Sequence, residues 1–305
     1  MKLSQNLNKE KNFFKNKNIV ITGASGFIGK NLLKYLSQYQ CNIIAIYNKT
    51  KINSKKKNIV SIKHDLLQSL PENLLKDKID ILFHFAGPKA DRKSMQDNFE
   101  INNGLVIDKN IIKYSIKKKI SLFFYASSAG VYKISKTNFK EKKIPITTNC
   151  DGIYGKNKLI AEKMLFNAFD KKNLIICRFF SIYGKSSNTI INKWKNEVRK
   201  NKNISIWGDG KTIRSWLHID DTIRGIIKMI IYKKNDVFYN LGSSEKLSLY
   251  KIFCLIKSKF KHSKSSIIYS KILATGPKKR FTNSHNLKKI GWVQKIKLNK
   301  GLTII

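Results

Sequence analysis

Short apolar segments alternate with amphipathic segments along the first 180 residues. The apolar segments have the length and β-branched content of strands, and they occupy residues 18–22, 43–47, 58–62, 79–86, 121–126 and 174–180. The intervening segments repeat their apolar residues at helical spacing over 27–39, 97–118 and 154–170. Because strands separated by helices require crossover connections, the pattern predicts an α/β fold with a doubly wound parallel sheet.

The rhythm changes after residue 180. The pattern there predicts helices at about 188–200, 220–232 and 248–260, and strands at about 204–207 and 237–241. Over 267–305 we expect irregular structure with a short helix at 285–290. Because the strand at 237–241 can rejoin the main sheet, we predict two domains. One spans 17–180 plus about 213–241, and a smaller, discontinuous C-terminal lobe spans 181–212 and 242–305.

The composition narrows the class of protein. The 305-residue chain has 61 Lys and Arg against 19 Asp and Glu, a net charge of +42, and 42% of its residues are hydrophobic. That hydrophobic fraction is typical of a folded chain and excludes wholesale disorder. Such a charge normally indicates a nucleic-acid or anionic-membrane partner. Here the lysines are spread along the chain beside abundant Asn and Ile, residues of AT-rich codons, so we predict solvated surface and no specific nucleic-acid partner.

Targeting and cysteine patterns bear on where in the cell the protein acts. The longest apolar runs are far shorter than the roughly 20 residues of a membrane-spanning helix. Residues 1–18 alternate Lys and Asn around Phe13 and Phe14 and lack the apolar stretch of a secretory signal. The four cysteines lie far apart without CxxC spacing, so neither a disulfide framework nor a metal site is indicated. We therefore predict a cytoplasmic protein with no membrane partner.

A glycine-rich turn follows the first predicted strand. It reads Gly23-Ala24-Ser25-Gly26-Phe27-Ile28-Gly29 and leads into the first predicted helix. Glycines in such a turn permit the tight backbone, let a pyrophosphate approach, and let the helix pack on the strand. We predict that the dinucleotide phosphates are bound here, by Gly23, Ser25, Gly26, Phe27, Ile28 and Gly29.

The turn also resembles a known family. Residues 22–29 are similar to the TGxxGFIG motif of the extended short-chain dehydrogenase/reductases, the NAD-dependent epimerase/dehydratase family, and the resemblance covers about 17–292. It implies a Rossmann-type sheet, NAD or NADP as cofactor, a nucleoside-diphosphate sugar as substrate, and a homodimer. It also implies cofactor contacts after the third and fourth strands, from Asp65, Leu66, Phe85, Ala86 and Gly87.

The residues after the second strand bear on the choice of cofactor. An acid usually stands there and accepts hydrogen bonds from the adenosine ribose, but this chain has Asn48 and Lys49. The missing carboxylate removes repulsion against a 2′-phosphate, and Lys49 or Lys51 can pair with one. We expect Asn48 and Lys49 to contact the cofactor. NADP is slightly favoured, and NAD stays an alternative.

Tyr154 and Lys158 form a YxxxK pattern at the start of a predicted helix, where residues four apart share a face. A phenol is a poor base by itself, and a neighbouring ammonium stabilises the phenolate. In the family that the chain resembles, such a pair acts with a serine or threonine, here Ser128. The resemblance implies that Tyr154 exchanges a proton with the sugar C4 oxygen, Ser128 orients that oxygen, and Lys158 binds the nicotinamide ribose.

Departures from the family pattern narrow the reaction. The family's 4,6-dehydratases carry an Asp-Glu pair directly after the catalytic Ser/Thr, where this chain has Ala129 and Gly130, so dehydration is disfavoured. The resemblance then implies 4-epimerisation or 4-keto-sugar reduction, as an expected step in surface-polysaccharide sugar biosynthesis. The alternative is a catalytically inactive Rossmann protein that binds RNA or anionic surfaces.

Several polar positions are candidates for substrate binding. Ser181 replaces an asparagine that contacts the substrate in many relatives. Arg214 follows a Gly-Asp-Gly turn, and an arginine fork matches the geometry of a diphosphate. Arg280 stands in a tail similar to that of family keto-sugar epimerase/reductases. We predict substrate contacts from Ser128, Ser181, Arg214 and Arg280.

Three further polar residues are assigned structural roles. Asn102 is similar to the family's helix asparagine, whose role is mainly structural. His218 and Asp221 are predicted to brace the turn before the helix at 220–232 and to cap that helix.

Overall fold

The computed structural model describes residues 2–72, 78–88, 98–132, 141, 150–270 and 278–305. Its main sheet has seven strands, and every neighbouring pair is parallel. They are β1 (Asn18–Thr22), β2 (Asn42–Tyr47), β3 (Ile59–Lys63), β4 (Ile81–His84), β5 (Leu122–Ser128), β6 (Leu174–Phe179) and β11 (Phe238–Leu241). The spatial order is β11-β6-β5-β4-β1-β2-β3. The order reverses between β1 and β4, where such sheets open a crevice at their carboxyl edge.

Helices cover both faces of this sheet. The described α-helices are α1 (Lys2–Phe14), α2 (Phe27–Leu36), α3 (Asn98–Lys117), α4 (Gly152–Ala168), α5 (Ile190–Arg199), α6 (Ile219–Tyr232), α7 (Leu249–Lys257), α8 (His285–Lys289) and α9 (Leu298–Ile304). Successive residues of a strand point to opposite faces. Ile19 and Ile21 accordingly join a core with α2 and α6, and Val20 joins a second core with α3 and α4.

A smaller region lies beyond β6. Its short strands are β7 (Ser181–Tyr183), β8 (Ile204–Trp207), β9 (Ile213–Arg214), β10 (Trp216–His218), β12 (Leu247–Ser248), β13 (Ile267–Ser270) and β14 (Lys279–Arg280). They form three small sheets, β10-β7, β12-β9-β14 and β13-β8. This region has a separate hydrophobic core in which Trp194 of α5, Ile206 of β8 and Ile252 of α7 pack with α9.

The N-terminal helix α1 has no counterpart among the predicted elements. Phe14 is fully buried in the core beside α2, and the Glu10 carboxylate accepts hydrogen bonds from the hydroxyls of Tyr35 at 2.7 Å and Tyr39 at 2.8 Å. Tertiary packing stabilises this helix, and a Lys/Asn-rich segment gives little local indication of it.

The prediction of irregular structure over 267–305 is wrong in three places. Besides α8, the segment contains β13, β14 and α9. Strand β13 pairs in parallel with β8, and β14 pairs in parallel with β9. Both pairings join residues about 60 positions apart, so local periodicity does not indicate them. Across the described part of the chain, no helix combines the length and the apolar character needed to cross a membrane.

Candidate active site

The predicted site residues lie at the carboxyl edge of the parallel sheet and on the strands facing it. The glycine turn follows β1, Asn48 and Lys49 follow β2, and Asp65 and Leu66 follow β3. The segment Phe85, Ala86 and Gly87 follows β4, and Ser128 ends β5. Because the strands are parallel, segments far apart in sequence meet along one edge.

The glycine turn is built by close backbone contacts. Gly23 has φ +62°, and a Cβ there would lie 2.7 Å from the backbone N of Ala86. A Cβ on Gly29 would overlap the carbonyl oxygen of Gly23. Helix α2 begins at Phe27, and its N-cap residue Gly26 provides no side-chain hydrogen bond. The first amides of α2 therefore face the sheet edge without a capping side chain, which fits a bound phosphate.

The other predicted cofactor residues line the same edge. Asn48 and Lys49 are exposed. The Asp65 carboxylate accepts a hydrogen bond from the amide of Leu67 at 3.1 Å, and Leu66 is buried in the core. The Ala86 amide donates to Thr22 Oγ1 at 3.3 Å. This last bond ties the end of β4 to the start of the glycine turn.

Ser128 and Tyr154 meet at Gly130. A Cβ on Gly130 would lie 3.4 Å from Ser128 Oγ and 3.6 Å from Tyr154 Cδ1. A Cβ on Gly155 would overlap the carbonyl oxygen of Gly130, so glycine at 155 allows the first turn of α4 to approach residues 129–131. Ser128 Oγ accepts a hydrogen bond from the Gly130 amide at 3.0 Å. That bond uses the oxygen as an acceptor and leaves the hydroxyl proton available to a ligand.

Lys158 lies one turn further along α4 and is buried. Its Nζ donates to Asp108 Oδ2 at 3.3 Å and to the Tyr125 hydroxyl at 3.0 Å. It also lies 4.0 Å from the position that a Cβ on Gly87 would occupy. Lys158 therefore faces the end of β4, and its hydrogen bonds to Asp108 and Tyr125 fix it on the side away from Gly87.

Sequence reasoning missed Asp108. Its side chain also contacts His84 Nε2 at 3.0 Å and accepts a hydrogen bond from the Tyr125 hydroxyl at 2.6 Å. A carboxylate only accepts, so His84 Nε2 carries the proton and Nδ1 accepts from Thr22 Oγ1 at 2.6 Å. The network thus runs from the glycine turn to Lys158. The sequence contains a signal: Asp108 lies on the apolar face of α3 with Ile101, Gly104, Ile111 and Ile112.

Burial and charge set the protonation of this network. Burial acts to raise the pKa of the Asp108 carboxyl, but the Lys158 ammonium and the His84 N–H outweigh it and hold that pKa below its ordinary value. Burial lowers the pKa of His84 despite its bond to Asp108. Burial, followed by the Asp108 charge, raises the pKa of Tyr125 well above its ordinary value. At neutral pH the network therefore has one anion, Asp108, facing one cation, Lys158.

A second buried network lies one turn further along α4, and sequence reasoning missed it as well. Arg178 donates to both carboxylate oxygens of Glu162, at 2.9 and 2.6 Å. Glu162 also accepts from the Ser127 hydroxyl at 2.5 Å. The Tyr132 hydroxyl accepts from Arg178 at 3.1 Å and donates to Asn240 at 2.7 Å. These contacts include Ser127, the residue before Ser128, and they fix α4 against β5 and β6.

The predicted substrate arginines stand on adjacent strands. The register pairs Arg214 of β9 with Arg280 of β14. Burial, and then repulsion by Arg280, lowers the pKa of Arg214 to about 10. Arg280 donates to Asp151 at 2.7 Å, and Asp151 is the N-cap residue of α4. Two neighbouring guanidinium groups thus lie near the start of the helix that carries Tyr154. The third predicted substrate ligand, Ser181, is half-buried on β7.

His218 has a contact of the predicted kind at the start of α6, whereas Asp221 binds a segment distant in sequence. His218 Nδ1 accepts from the Asp220 amide at 3.2 Å at the N-cap of α6. Asp221 is buried and accepts from the amides of Lys295 at 2.9 Å and Ile296 at 2.7 Å. Asn102 likewise has a structural contact, because it accepts from Asn157 Nδ2 of α4 at 3.2 Å.

A parallel sheet with a glycine turn at its carboxyl edge defines a dinucleotide-binding protein of the Rossmann class. The model of the NAD dependent epimerase/dehydratase family matches residues 19–242. The chain therefore belongs to this NAD-dependent enzyme family, which confirms the resemblance drawn from the motifs.

Individual relatives are similar over most of their length. The chain is 26% identical over 295 residues to an ADP-L-glycero-D-manno-heptose-6-epimerase of Brachyspira hyodysenteriae, covering 89% of this chain and 90% of that protein. It is 28% identical over 319 residues to GDP-mannose 3,5-epimerase of Arabidopsis thaliana, covering 95% and 81%.

A solved structure shares the fold. It is the UDP-glucuronic acid 4-epimerase of Bacillus cereus in complex with UDP-glucuronic acid and NAD. The TM-score is 0.83 at 23% identity, over 94% of this chain and 97% of that one. The Rossmann-type α/β prediction is confirmed.

Proposed function

We propose that the protein is an NAD(P)-dependent nucleotide-sugar epimerase or reductase that transfers hydride at sugar C4. The observation that supports this most is the meeting of Ser128 and Tyr154 at Gly130, with Lys158 facing Gly87, at the edge of the sheet that holds the glycine turn. The reaction is 4-epimerisation or 4-keto-sugar reduction, in the cytoplasm, for surface-polysaccharide sugars.

Each of the three residues has a distinct task in this proposal. The Tyr154 phenol exchanges a proton with the C4 oxygen. The Ser128 hydroxyl donates to the same oxygen, since its own oxygen already accepts from the Gly130 amide. Lys158 has three ammonium protons, of which Asp108 and Tyr125 take two. The third is directed to the nicotinamide ribose.

NAD or NADP supplies the hydride acceptor and donor when bound. The amides that begin α2 and the glycine turn hold the pyrophosphate, and the segments at Asn48 and Asp65 hold the adenosine. The exposed Lys49 favours a 2′-phosphate, whereas the solved structure from Bacillus cereus contains NAD. A direct comparison of the two cofactors decides between them.

The substrate is proposed to be a nucleoside-diphosphate sugar. Arg214 and Arg280 hold the diphosphate, because two adjacent guanidinium groups match its charge and geometry. Ser181 contacts the sugar. We place the cofactor domain at 17–180 plus about 213–241 and the substrate lobe at 181–212 and 242–305, with its separate core.

We also propose a homodimer. Helix α3 exposes Val106 and Ile116 to solvent, and exposed apolar side chains on one element favour association. Light scattering after size-exclusion chromatography should give a dimer mass, and replacing Val106 and Ile116 by glutamate should give a monomer. A monomeric wild-type protein would contradict this part of the proposal.

The first experiment is to purify the protein, denature it and identify any released nicotinamide cofactor. Stoichiometric NAD favours an epimerase that retains its cofactor, and an empty protein that binds NADPH more tightly than NADH favours a reductase. UDP-glucose and UDP-glucuronic acid are the first test substrates, with Tyr154→Phe as the control that binds cofactor without turnover. A protein that binds neither NAD(H) nor NADP(H) contradicts the proposal.

Substrate binding is tested with a matched pair of variants. Arg214→Ala should weaken nucleotide-sugar binding at least about tenfold, because it removes a charge-assisted contact. Lys211→Ala, at an exposed neighbouring cation, should leave that affinity unchanged. The inactive alternative predicts instead steeply salt-dependent RNA binding without nicotinamide affinity.

A further inference from the structure

Lys158 is the proposed ribose-binding cation, and its ammonium contacts the buried carboxylate of Asp108 at 3.3 Å. Its side chain is 9% exposed and that of Asp108 is 2% exposed. Both groups are removed from water, so their interaction is screened much less than that of a surface pair. The position of Lys158 and the charge it presents to the site therefore depend on Asp108.

The surroundings of Lys158 define the charges that act on it. Among the described residues, Asp108 comes from α3, Tyr125 from β5 and His84 from β4. Its own helix adds Tyr154 and Glu162, and the Glu162 charge is offset by two hydrogen bonds from Arg178 of β6. Because burial lowers the pKa of His84 and raises that of Tyr125, Asp108 is the anion that faces Lys158.

The hydrogen bonds of Asp108 fix its orientation. Oδ1 accepts from His84, and Oδ2 accepts from Tyr125 and Lys158. Tyr125 in turn accepts from Lys158, and the ammonium lies 4.6 Å from the Tyr125 ring centroid. Donors from three elements converge on this carboxylate, and the remaining side of the ammonium faces Gly87.

We propose that Asp108 is a positioning residue of the site, whose carboxylate fixes the Lys158 ammonium beside Gly87. The inference rests on the role proposed for Lys158 in cofactor binding. Without this carboxylate the ammonium loses its charged partner and can turn away from Gly87, so Asp108 acts on cofactor binding through Lys158.

The test measures the affinity of the protein for NADH or NADPH by the fluorescence of the bound nicotinamide, without a sugar substrate. Lys158→Met and Asp108→Asn should each weaken coenzyme binding about tenfold. The double variant Lys158→Met/Asp108→Asn should bind no more weakly than Lys158→Met, because Asp108 acts through Lys158. Tyr125→Phe removes a hydrogen bond and keeps the carboxylate, so its coenzyme affinity should stay at the wild-type value.

A merely structural Asp108 would lower the melting temperature of Asp108→Asn and leave its coenzyme affinity at the wild-type value, which overturns the proposal. Should Asp108→Asn not fold, Asp108→Glu keeps the charge and displaces it by one methylene group. Asp108→Glu should weaken coenzyme binding in the wild-type background and have no further effect in Lys158→Met, and an equal loss in both backgrounds overturns the proposal.

The same variants distinguish this inference from the proposed function. Coenzyme affinity is measured without a nucleotide sugar, so its loss in Asp108→Asn stands even if no sugar is turned over. A wild-type protein that binds neither coenzyme contradicts the proposed function and the inference together. Coenzyme binding that is lost in Lys158→Met and kept in Asp108→Asn overturns the inference alone.

Discussion

Helix α4 carries one member of each of two buried ion pairs, and the two pairs differ in how they are enclosed. In the pair formed by Arg178 and Glu162, both side chains are 0% exposed and two hydrogen bonds join them. In the pair formed by Lys158 and Asp108, one bond of 3.3 Å joins the groups and Lys158 faces Gly87. The first pair is closed on all sides, and the second opens toward the candidate site.

The difference shows what each pair does for the molecule. A closed bidentate pair whose side chains are removed from solvent fixes α4 against β5 and β6, so its role is architectural. An open pair holds a cation in place and leaves one of its protons for a ligand. Because Lys158 and Glu162 are four residues apart on the same helix, the architectural pair also keeps the open pair in register with Ser128.

The largest effect is expected from breaking the closed pair. Arg178→Met leaves the Glu162 carboxylate buried without its cation and should lower the free energy of unfolding by about 3–5 kcal/mol. Urea denaturation monitored by circular dichroism measures it. The double variant Arg178→Met/Glu162→Leu removes both charges and should recover much of the loss. Wild-type stability in Arg178→Met would contradict the architectural role.

A smaller effect is expected from the open pair. Asp108→Asn should lower the free energy of unfolding by about 1–3 kcal/mol, because three donors lose a charged acceptor. Lys158 still has its hydrogen bond to Tyr125 and still faces the open side of the site. Urea denaturation of Asp108→Asn and Arg178→Met in the same buffer compares the two losses of unfolding free energy. A loss as large as that of Arg178→Met would mean that the two pairs do not differ in kind.

The order of elements in the first 180 residues could be predicted because strong local periodicity accompanies each one. Strand β1 was predicted with its observed bounds, and β2 to β6 within a few residues. Helix α1 and strands β13 and β14 could not be predicted, since they depend on partners distant in sequence. The local hydrophobic pattern predicts a helix or strand only where that element buries a periodic apolar face of its own.

The candidate site follows the same rule. The four-residue spacing of Tyr154 and Lys158 is local, and a short motif at the end of β5 indicates Ser128. The partners of Lys158 come from α3 and β5, and no motif joins them to α4. An acid on an apolar helix face is the one available signal, and Asp108 has it. Such a position predicts a buried, paired carboxylate, although the identity of its partner requires the fold.

A double-mutant comparison tests whether the two networks are separate. Tyr125→Phe removes a donor to Asp108, and Tyr132→Phe removes a partner of Arg178, so each should cost about 1 kcal/mol. In the double variant Tyr125→Phe/Tyr132→Phe, the two losses of unfolding free energy should add within about 0.5 kcal/mol. Tyr125→Phe combined with Asp108→Asn should be non-additive by more than that, because the two residues share a hydrogen bond. Denaturation of the three single and two double variants measures both couplings.

The smallest effect concerns pH and is confined to the open pair, whose network includes His84. Burial lowers the pKa of His84, so below its ordinary value of about 6.5 the unfolded chain takes up a proton that the folded chain refuses. Stability should therefore fall as pH decreases from 6.5. His84→Gln should make this fall shallower without abolishing it, because burial also lowers the pKa of His218. Urea unfolding at pH 7.5 and 5.5 compares the two proteins, and equal falls would remove His84 as the pH-sensitive member of the open pair.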